Sequence, residues 1–357
     1  MKKKHWIKIA IFAALTALIL LFASSLLCVA NEKDAVGLYG FFLEPEDSID
    51  VVLIGSSSIY TGFYSPLAYE QQGFTSYALS TSTMTAPLYR YAAELAIEKQ
   101  HPQLLIFETW SFTYEDQQDE TSLRKFLDAL PDSELKQRAI REIVPEELQT
   151  SFRNPFEKYH SSWDRFGELL QVMQDKLQMK RQGYSVTKNF GTTPFRQPYL
   201  QRTTDYEVSE SGFYYLQVLL DYLKEAEIEN VLFIRCPDMV QYVGTDSYKR
   251  MIEMIRDAGF DFVNLSAAVE DIGVDIGHDY YNTTHFNVFG AEKFTTFLAD
   301  YMMKRYRLRT DHDPAVLEEW DQCASRNQQI LGYLEELTEQ DANGFLYTQR
   351  DFLEPAF

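Results

Sequence analysis

The sequence predicts an α/β fold built on a doubly wound, five-stranded parallel sheet. Five short apolar runs lack the polar alternation of half-exposed strands, which is typical of strands covered on both faces. Amphipathic helical patterns separate these runs, as in βαβ units. Right-handed crossovers would bring the carboxyl ends of the strands to one edge, where ligands bind. The runs are IDVVLIG (49–55), TSYAL (75–79), LLIFE (104–108), NVLFIRC (230–236) and DFVNL (261–265).

The first thirty residues predict a single-pass membrane anchor. Four lysines precede an uncharged stretch from Ile9 to Ala30, about the ~20 residues that a helix needs to cross a bilayer. The positive-inside tendency then leaves the amino terminus in the cytoplasm and the main domain outside the cell membrane. A signal peptide cleaved after Ala30 is the alternative, but the stretch exceeds the ~7–15 apolar residues usual for one. Residues 31–48 would form a juxtamembrane linker.

The charge of the chain argues against a nucleic-acid partner. The formal net charge is −20, and an acidic surface repels nucleic acid and anionic lipid. Of the three cysteines, Cys28 lies in the anchor, whereas Cys236 and Cys323 could pair. Two isolated cysteines do not make a disulfide framework.

A predicted insertion interrupts the alternation of strands and helices at about residues 111–210. It contains two amphipathic helical patterns, at 119–148 and 161–184, and follows the carboxyl end of the third strand. We therefore expect it to overhang the ligand-binding edge as a source of selectivity, as a partner surface, or only as packing. The main domain is predicted over 49–310, and the tail over 311–357 contains one more helix, at 314–340.

Two short blocks supply a candidate nucleophile and base. In VVLIGSSSIYTG (51–62), Gly55 ends the first strand, and a serine could either cap the next helix or stand exposed as a nucleophile at Ser57. In DYYNTTHFNVFG (279–290), His285 precedes the start of a helix after the last strand. This topology places both residues at one edge of the sheet, and a serine needs such a base to take its proton.

The blocks LIGSSSIYTG (53–62) and THFNVFGAEKFT (284–295), with the strands between them, resemble the SGNH (GDSL-type) hydrolase superfamily, whose fold is flavodoxin-like. More narrowly, they resemble its membrane-anchored bacterial branch, which includes teichoic-acid D-alanyl transfer and polysaccharide O-acetyl-transfer proteins. The resemblance covers roughly 49–110 and 210–305. It implies an acyl-serine on Ser57, with His285 as the base.

The sequence departs from the family pattern at the acid. The last block of the family is Asp-x-x-His, but Asn282 holds the acid position here. An asparagine can accept the histidine Nδ1–H and fix its tautomer, but it cannot stabilise an imidazolium by charge. Asp279, six residues before His285, is the alternative partner.

The oxyanion residues of the family also differ. Ser80 stands about where a glycine is expected, and the third block, FETWSF (107–112), lacks the asparagine. The Ser57 N–H remains as a donor, since an oxyanion hole needs donors rather than particular side chains. Glu108 and Ser111 end the third strand, where they would either bind substrate or close a buried polar cluster.

The resemblance and the topology imply an extracytoplasmic acyl esterase or acyltransferase that acts on an O-acylated cell-envelope glycopolymer, with a membrane-bound acyltransferase as a possible partner. The alternative is a catalytically degenerate binding or assembly subunit of an envelope polymer-modification system. No cofactor is expected. His278, Asp279 and His285 could be metal ligands, but they lack HExxH or paired-cysteine spacing, so no metal is expected.

Overall fold

The fold is described from a computed structural model of the chain. The structure describes residues 3–27, 32–159, 202–226, 228 and 230–339, together with positions 167, 170, 174 and 177. Apart from positions 167, 170, 174 and 177, the second predicted helix of the insertion, at 161–184, lies outside these residues, as does the proposed cleavage point at Ala30.

The predicted sheet is confirmed. All five apolar runs form strands, and every neighbouring pair is parallel. The strands are β1 (Val51–Gly55), β2 (Ser76–Ser80), β3 (Leu104–Glu108), β5 (Val231–Arg235) and β7 (Asp261–Asn264), in the order β2-β1-β3-β5-β7. The order reverses at β1, so the crevice between β1 and β3 is the topological switch point at which doubly wound sheets bind ligands.

Helices cover both faces of the sheet. The first half contains α1 (Lys3–Leu27), α2 (Glu32–Leu43), α3 (Ser57–Gly62), α4 (Ser65–Gln72), α5 (Pro87–Gln100), α6 (Glu120–Leu127), α7 (Glu134–Ile143), α8 (Gln149–Arg153) and α9 (Pro155–Tyr159). The second half contains α10 (Glu210–Glu225), α11 (Asp246–Asp257), α12 (Val269–Ile272), α13 (Val288–Arg305) and α14 (Pro314–Glu339).

Alternate residues of each strand face two separate hydrophobic cores. On one face, α5 and α10 pack over side chains such as Ile54 and Phe107. On the other face, α4, α13 and α14 pack over Leu53 and Ile106. Strands β1, β2, β3 and β5 are fully buried, which is why the centre of each strand is apolar without alternation.

The described part of the insertion packs on the first of these cores. Helices α6 and α7 bury one apolar stripe each, as their 3.6-residue periodicity predicts. A second, two-stranded parallel sheet was not predicted; it is formed by β4 (Arg202–Tyr206) and β6 (Val240–Gly244). The tail forms the predicted helix as α14.

The amino-terminal helix exists, but its role stays a prediction. Helix α1 covers 25 residues. Within the part of the chain that the structure describes, no helix meets the length and apolarity needed to cross a membrane.

Cys236 and Cys323 do not form the disulfide that the sequence allowed. Both thiols are buried. Burial raises the pKa of the Cys236 thiol well above its usual value. A buried thiol with a raised pKa is a poor nucleophile, which is consistent with a structural role for Cys236 just after β5.

Candidate active site

The turn between β1 and α3 presents Ser57 at the carboxyl edge of the sheet. Gly55 ends β1, Ser56 takes the N-cap position, and α3 begins at Ser57. A Cβ at Gly55 would lie 2.7 Å from the Ile59 side chain and 2.8 Å from the Glu108 Cβ. Only glycine therefore permits the close approach of this turn to β3.

Of the two roles that the sequence left open for a serine in this turn, the side-chain cap is not used by Ser56, although Ser56 takes the N-cap position. The Ser56 side chain makes no capping hydrogen bond and bonds instead to Tyr114. The side chain of Ser57, the next residue, points to His285 instead.

His285 lies on a compact hairpin that the sequence around it explains. A bridge between Tyr280 and Phe286 closes the hairpin, and Asn282 Oδ1 accepts the backbone N–H groups of Thr284 and His285, each at 2.9 Å. This is the local turn that asparagine side chains favour. The hairpin then runs into α13, which Asn287 caps by accepting from Phe289 N and Gly290 N.

The structure brings Ser57, His285 and Asn282 together. Ser57 Oγ lies 2.6 Å from His285 Nε2, and His285 Nδ1 lies 3.0 Å from Asn282 Oδ1. Because Asn282 Oδ1 is held as an acceptor by two backbone amides, Nδ1 carries the proton and Nε2 is left to accept from the serine hydroxyl. This is the tautomer that a general base requires.

Burial keeps the base neutral. Desolvation lowers the pKa of His285 to about 4, since the neutral Asn282 offers no negative charge to offset the burial of an imidazolium. The imidazole is therefore unprotonated at pH 7 and able to take a proton. The same low pKa makes it a weaker base than an ordinary histidine.

The structure does not bring Asp279 to His285. Asp279 is fully buried, and its carboxylate accepts from His278 Nδ1 at 2.7 Å, Lys293 Nζ at 2.6 Å and Asp275 N at 2.7 Å. These bonds use both carboxylate oxygens to fix the hairpin against α13. Asp279 thus supports the loop that carries the histidine, and Asn282 holds the ring.

Glu108 lies behind the nucleophile turn in a buried charged cluster. Its Oε1 accepts from Trp110 N at 2.9 Å and lies 3.8 Å from Arg235 Nη1. Arg235 also pairs with Asp238 and stacks 4.7 Å from the Trp110 ring centroid. Burial raises the pKa of Glu108 to about 7, although Arg235 opposes the shift. These contacts favour the interpretation that Glu108 closes a buried polar cluster rather than binding substrate.

The hydroxyl groups of the other two candidates, Ser111 and Ser80, also bond to partners inside the protein. Ser111 Oγ donates to Met84 O at 2.5 Å and accepts from Tyr89 at 2.8 Å. Ser80 Oγ reaches Ala78 O at 3.4 Å and is buried at the end of β2. Neither side chain is directed at the Ser57–His285 pair by these bonds.

Two supports of the site were missed from the sequence. Thr284 Oγ1 lies 3.1 Å from His285 Nδ1 and donates to Asn282 Oδ1 at 3.2 Å. Met239 N donates to Thr283 O at 2.9 Å, so the segment after β5 braces the hairpin. In the sequence, the opposite charges of Arg235 and Asp238 at the end of an apolar strand could have indicated that this segment has a structural role near the site.

Comparison of the chain with family models, with curated proteins and with solved structures finds no match. The site is therefore interpreted from its own geometry.

Proposed function

We propose that this protein is an SGNH-like acyl esterase or acyltransferase that works through an acyl-serine on Ser57. The observation that carries the proposal is the continuous arrangement of Ser57 Oγ, His285 Nε2 and Asn282 Oδ1, with separations of 2.6 and 3.0 Å. A packed histidine would not need a serine hydroxyl at hydrogen-bond distance on one nitrogen and an orienting oxygen on the other.

The reaction follows from these positions. His285 Nε2 takes the Ser57 hydroxyl proton while Oγ attacks the carbonyl carbon of an ester. The imidazolium then returns this proton to the leaving alkoxide, which departs as the alcohol and leaves the acyl group on Ser57. Water or an acceptor hydroxyl attacks the acyl-serine in the second half, and its proton passes through His285 to Ser57 Oγ. The Ser57 N–H, at the start of α3, is available for the oxyanion.

The proposed substrate is an O-acyl group on a cell-envelope glycopolymer, reached from a membrane anchor. The substrate class rests on the resemblance of the two sequence blocks, and the anchor rests on the uncharged stretch 9–30. The exposed apolar side chains of α1 support the anchor, because a helix that is apolar on all sides needs a nonpolar environment. They are Trp6, Ile7, Ile9, Ile11, Phe12, Leu15, Leu18, Ile19 and Leu20.

The anchor has its own test. A reporter fused after residue 357 should be active only outside the cytoplasm, and the mature protein should stay in the membrane fraction with its first thirty residues attached. A soluble form that begins near Asn31 would contradict the anchor and leave the chemistry at Ser57 untouched.

A second candidate function is a binding or assembly subunit that keeps the fold without catalysis. The observation that favours it is the neutral Asn282, which leaves an imidazolium at His285 without a counter-charge. Such a subunit would bind a glycopolymer or tether a membrane partner at the same edge.

The experiment that separates the two functions is labelling with a fluorophosphonate. The wild-type protein should form a covalent adduct on Ser57, located by mass spectrometry, and should hydrolyse p-nitrophenyl acetate slowly. Ser57→Ala should abolish both, and Ser58→Ala is the matched control, because it removes the neighbouring hydroxyl of the same helical turn. If the folded wild-type protein gives neither adduct nor hydrolysis, the binding subunit takes the place of the enzyme.

A further inference from the structure

The turn after β2 contains a residue in a conformation that its side chain disfavours. Thr83 has φ +55°, in the left-handed region that β-branched residues rarely adopt. Such a residue persists only where the surrounding structure holds it, and residues of this kind cluster at functional sites. The contacts that hold Thr83 are therefore of functional interest.

The insertion supplies the restraint. Lys125 Nζ, from α6, donates to Thr83 Oγ1 at 2.9 Å and to Ser82 O at 3.1 Å. Ser122, one turn earlier on α6, lies 2.9 Å from Thr83 Oγ1. Since the Thr83 hydroxyl donates to Ser82 O at 2.7 Å, it accepts from both α6 side chains. We call Ser122 and Lys125 the α6 clamp.

The clamped turn lies at the edge that carries the nucleophile. Ser80, the last residue of β2, pairs in register with Gly55, the last residue of β1. Residues 81–83 and Ser57 therefore leave neighbouring strands at the same level, and α3 lies against β2. The turn therefore borders the carboxyl edge next to the strand that carries Ser57.

The side chains at and just after the end of β3 are held by interior partners through Glu108 Oε1 and Ser111 Oγ. In the turn between β2 and α5, only Ser82 and Thr83 are not buried, and these two residues are the ones that Lys125 of α6 contacts. Their conformation therefore depends on α6.

We propose that the α6 clamp positions the turn after β2 against the substrate carbonyl at Ser57, so that Ser122 and Lys125 are positioning residues for acyl transfer. This inference rests on the proposed function of Ser57. It also gives the insertion a defined role, because α6 sets the shape of the edge without contributing a catalytic group.

A displaced turn should affect the transition state more than substrate binding. Backbone groups at this edge would meet the developing oxyanion, and interactions made only in the transition state change kcat rather than KM. Because a misplacement of about 1 Å can cost roughly 100-fold in rate, loss of the clamp should lower kcat by about 10- to 100-fold.

The clamp is tested with full-length protein and p-nitrophenyl acetate. Lys125→Met should lower kcat by about 10- to 100-fold with KM changed less than about twofold, and Lys125→Arg should restore most of kcat because it keeps a cationic donor. The matched control is Lys249→Met on α11, whose lysine pairs with Asp246 at the surface. It should leave both constants unchanged, and all variants should keep the wild-type melting temperature within a few degrees.

A second substitution tests the strain directly. Glycine adopts positive φ without cost, so in a Thr83→Gly background the turn should keep its shape without the clamp. Lys125→Met should then lower kcat by less than about threefold, which is the non-additivity expected of coupled residues. An equal loss in both backgrounds would show that Lys125 does not act through Thr83 and would overturn the inference.

Two further outcomes are distinguishable. If the wild-type protein hydrolyses the ester and labels on Ser57, but Lys125→Met keeps the wild-type kcat, the clamp has no positioning role and the proposed function stands. If the wild-type protein is inert and unlabelled, the proposed function fails, and this inference fails with it.

Discussion

The two edges of the sheet carry similar residues in different arrangements. At the carboxyl edge, a serine, a histidine and an asparagine meet as Ser57, His285 and Asn282. At the amino edge, a threonine, a histidine and an aspartate meet as Thr75, His312 and Asp50. Each set contains a hydroxyl, an imidazole and an Asx side chain. Only in the first set does the hydroxyl oxygen lie within 3 Å of a ring nitrogen.

The amino-edge cluster is organised around a buried carboxylate. Asp50 Oδ2 accepts from Thr75 Oγ1 at 2.8 Å and from His312 Nε2 at 2.7 Å, while Arg309 lies 2.9 Å from Oδ1. Thr75 Oγ1 and His312 Nε2 are 3.5 Å apart. The threonine proton is thus held by the carboxylate, and the cluster fastens the segment before α14 to the start of β1.

The two sets differ in how their groups are connected rather than in residue type. At the carboxyl edge the Asx oxygen lies on the far side of the ring, which leaves Nε2 for the hydroxyl. At the amino edge the Asx oxygen lies between the ring and the hydroxyl and satisfies both. The first arrangement can move a proton, whereas the second can only hold one in place.

The largest effect on the rate of Ser57 labelling should come from replacing His285, and the variant to compare with it replaces His312. His285→Gln should lower the rate of Ser57 labelling by about 10²- to 10⁴-fold, the usual contribution of a general base. His312→Gln should leave that rate unchanged and lower the melting temperature instead. Equal labelling rates in the two variants would remove the functional distinction between the edges.

Removal of the amino-edge carboxylate should give the largest loss of stability. Asp50→Ala leaves the partly exposed Arg309 and the buried His312 without their shared acceptor, and an unsatisfied buried polar group costs about 1–3 kcal/mol. Denaturant unfolding measures this change. Asp300→Ala is the control, because the Asp300–Lys304 pair is exposed and such pairs contribute about 0–1 kcal/mol. Equal losses in both variants would contradict the structural role of Asp50.

Introducing a charge at the carboxyl edge should increase the rate. Asn282→Asp places a carboxylate beside His285 Nδ1, which stabilises the imidazolium formed during acyl transfer. Hydrolysis of p-nitrophenyl acetate should rise by about 10- to 100-fold, less than the ~10⁴ lost when serine proteases exchange this aspartate for asparagine, because the tautomer here is already set. Asp279→Asn should not raise the rate. An increase with Asp279→Asn but not with Asn282→Asp would mean that the orienting residue is misassigned.

A smaller effect is expected at Glu108, which belongs to neither arrangement. Its pKa in the folded protein, about 7, lies above its ordinary value of 4.5, so the fold loses stability as the pH rises between these two values. The wild-type protein should therefore lose stability between about pH 5 and pH 8, and Glu108→Gln should lose about 2 kcal/mol less over this interval. Urea titrations at both pH values measure the difference. A constant difference between the two proteins would show that Glu108 is ionised throughout.

The sequence was sufficient for the sheet and for the pair at its carboxyl edge. Each of the five strands has an apolar centre without polar alternation, and their topology alone brings Ser57 and His285 to one edge. The sequence could not show whether Asn282 or Asp279 orients His285. The answer depends on a turn in which Asn282 Oδ1 accepts from two backbone amides. It also depends on Lys293, which pairs with Asp279.

Other features depended on partners that are distant along the chain. The β4–β6 pair joins residues about forty positions apart without an apolar run to mark either strand. The amino-edge cluster joins Asp50 to Arg309 and His312, and no local pattern around these residues indicates that they meet. The positive φ of Thr83 is likewise accompanied by contacts from side chains on α6, about forty positions along the chain.

The most direct test of the central claim is the pH dependence of Ser57 labelling, followed by mass spectrometry. If His285 is a neutral base oriented by Asn282, the rate should rise with a midpoint near pH 4, the pKa that burial gives this histidine, and stay flat above about pH 6. Asn282→Asp should move the midpoint to higher pH, because a neighbouring carboxylate raises an imidazole pKa. A rate with no acid limb, or an acid limb that persists in folded His285→Gln, would contradict the assignment of His285 as the base.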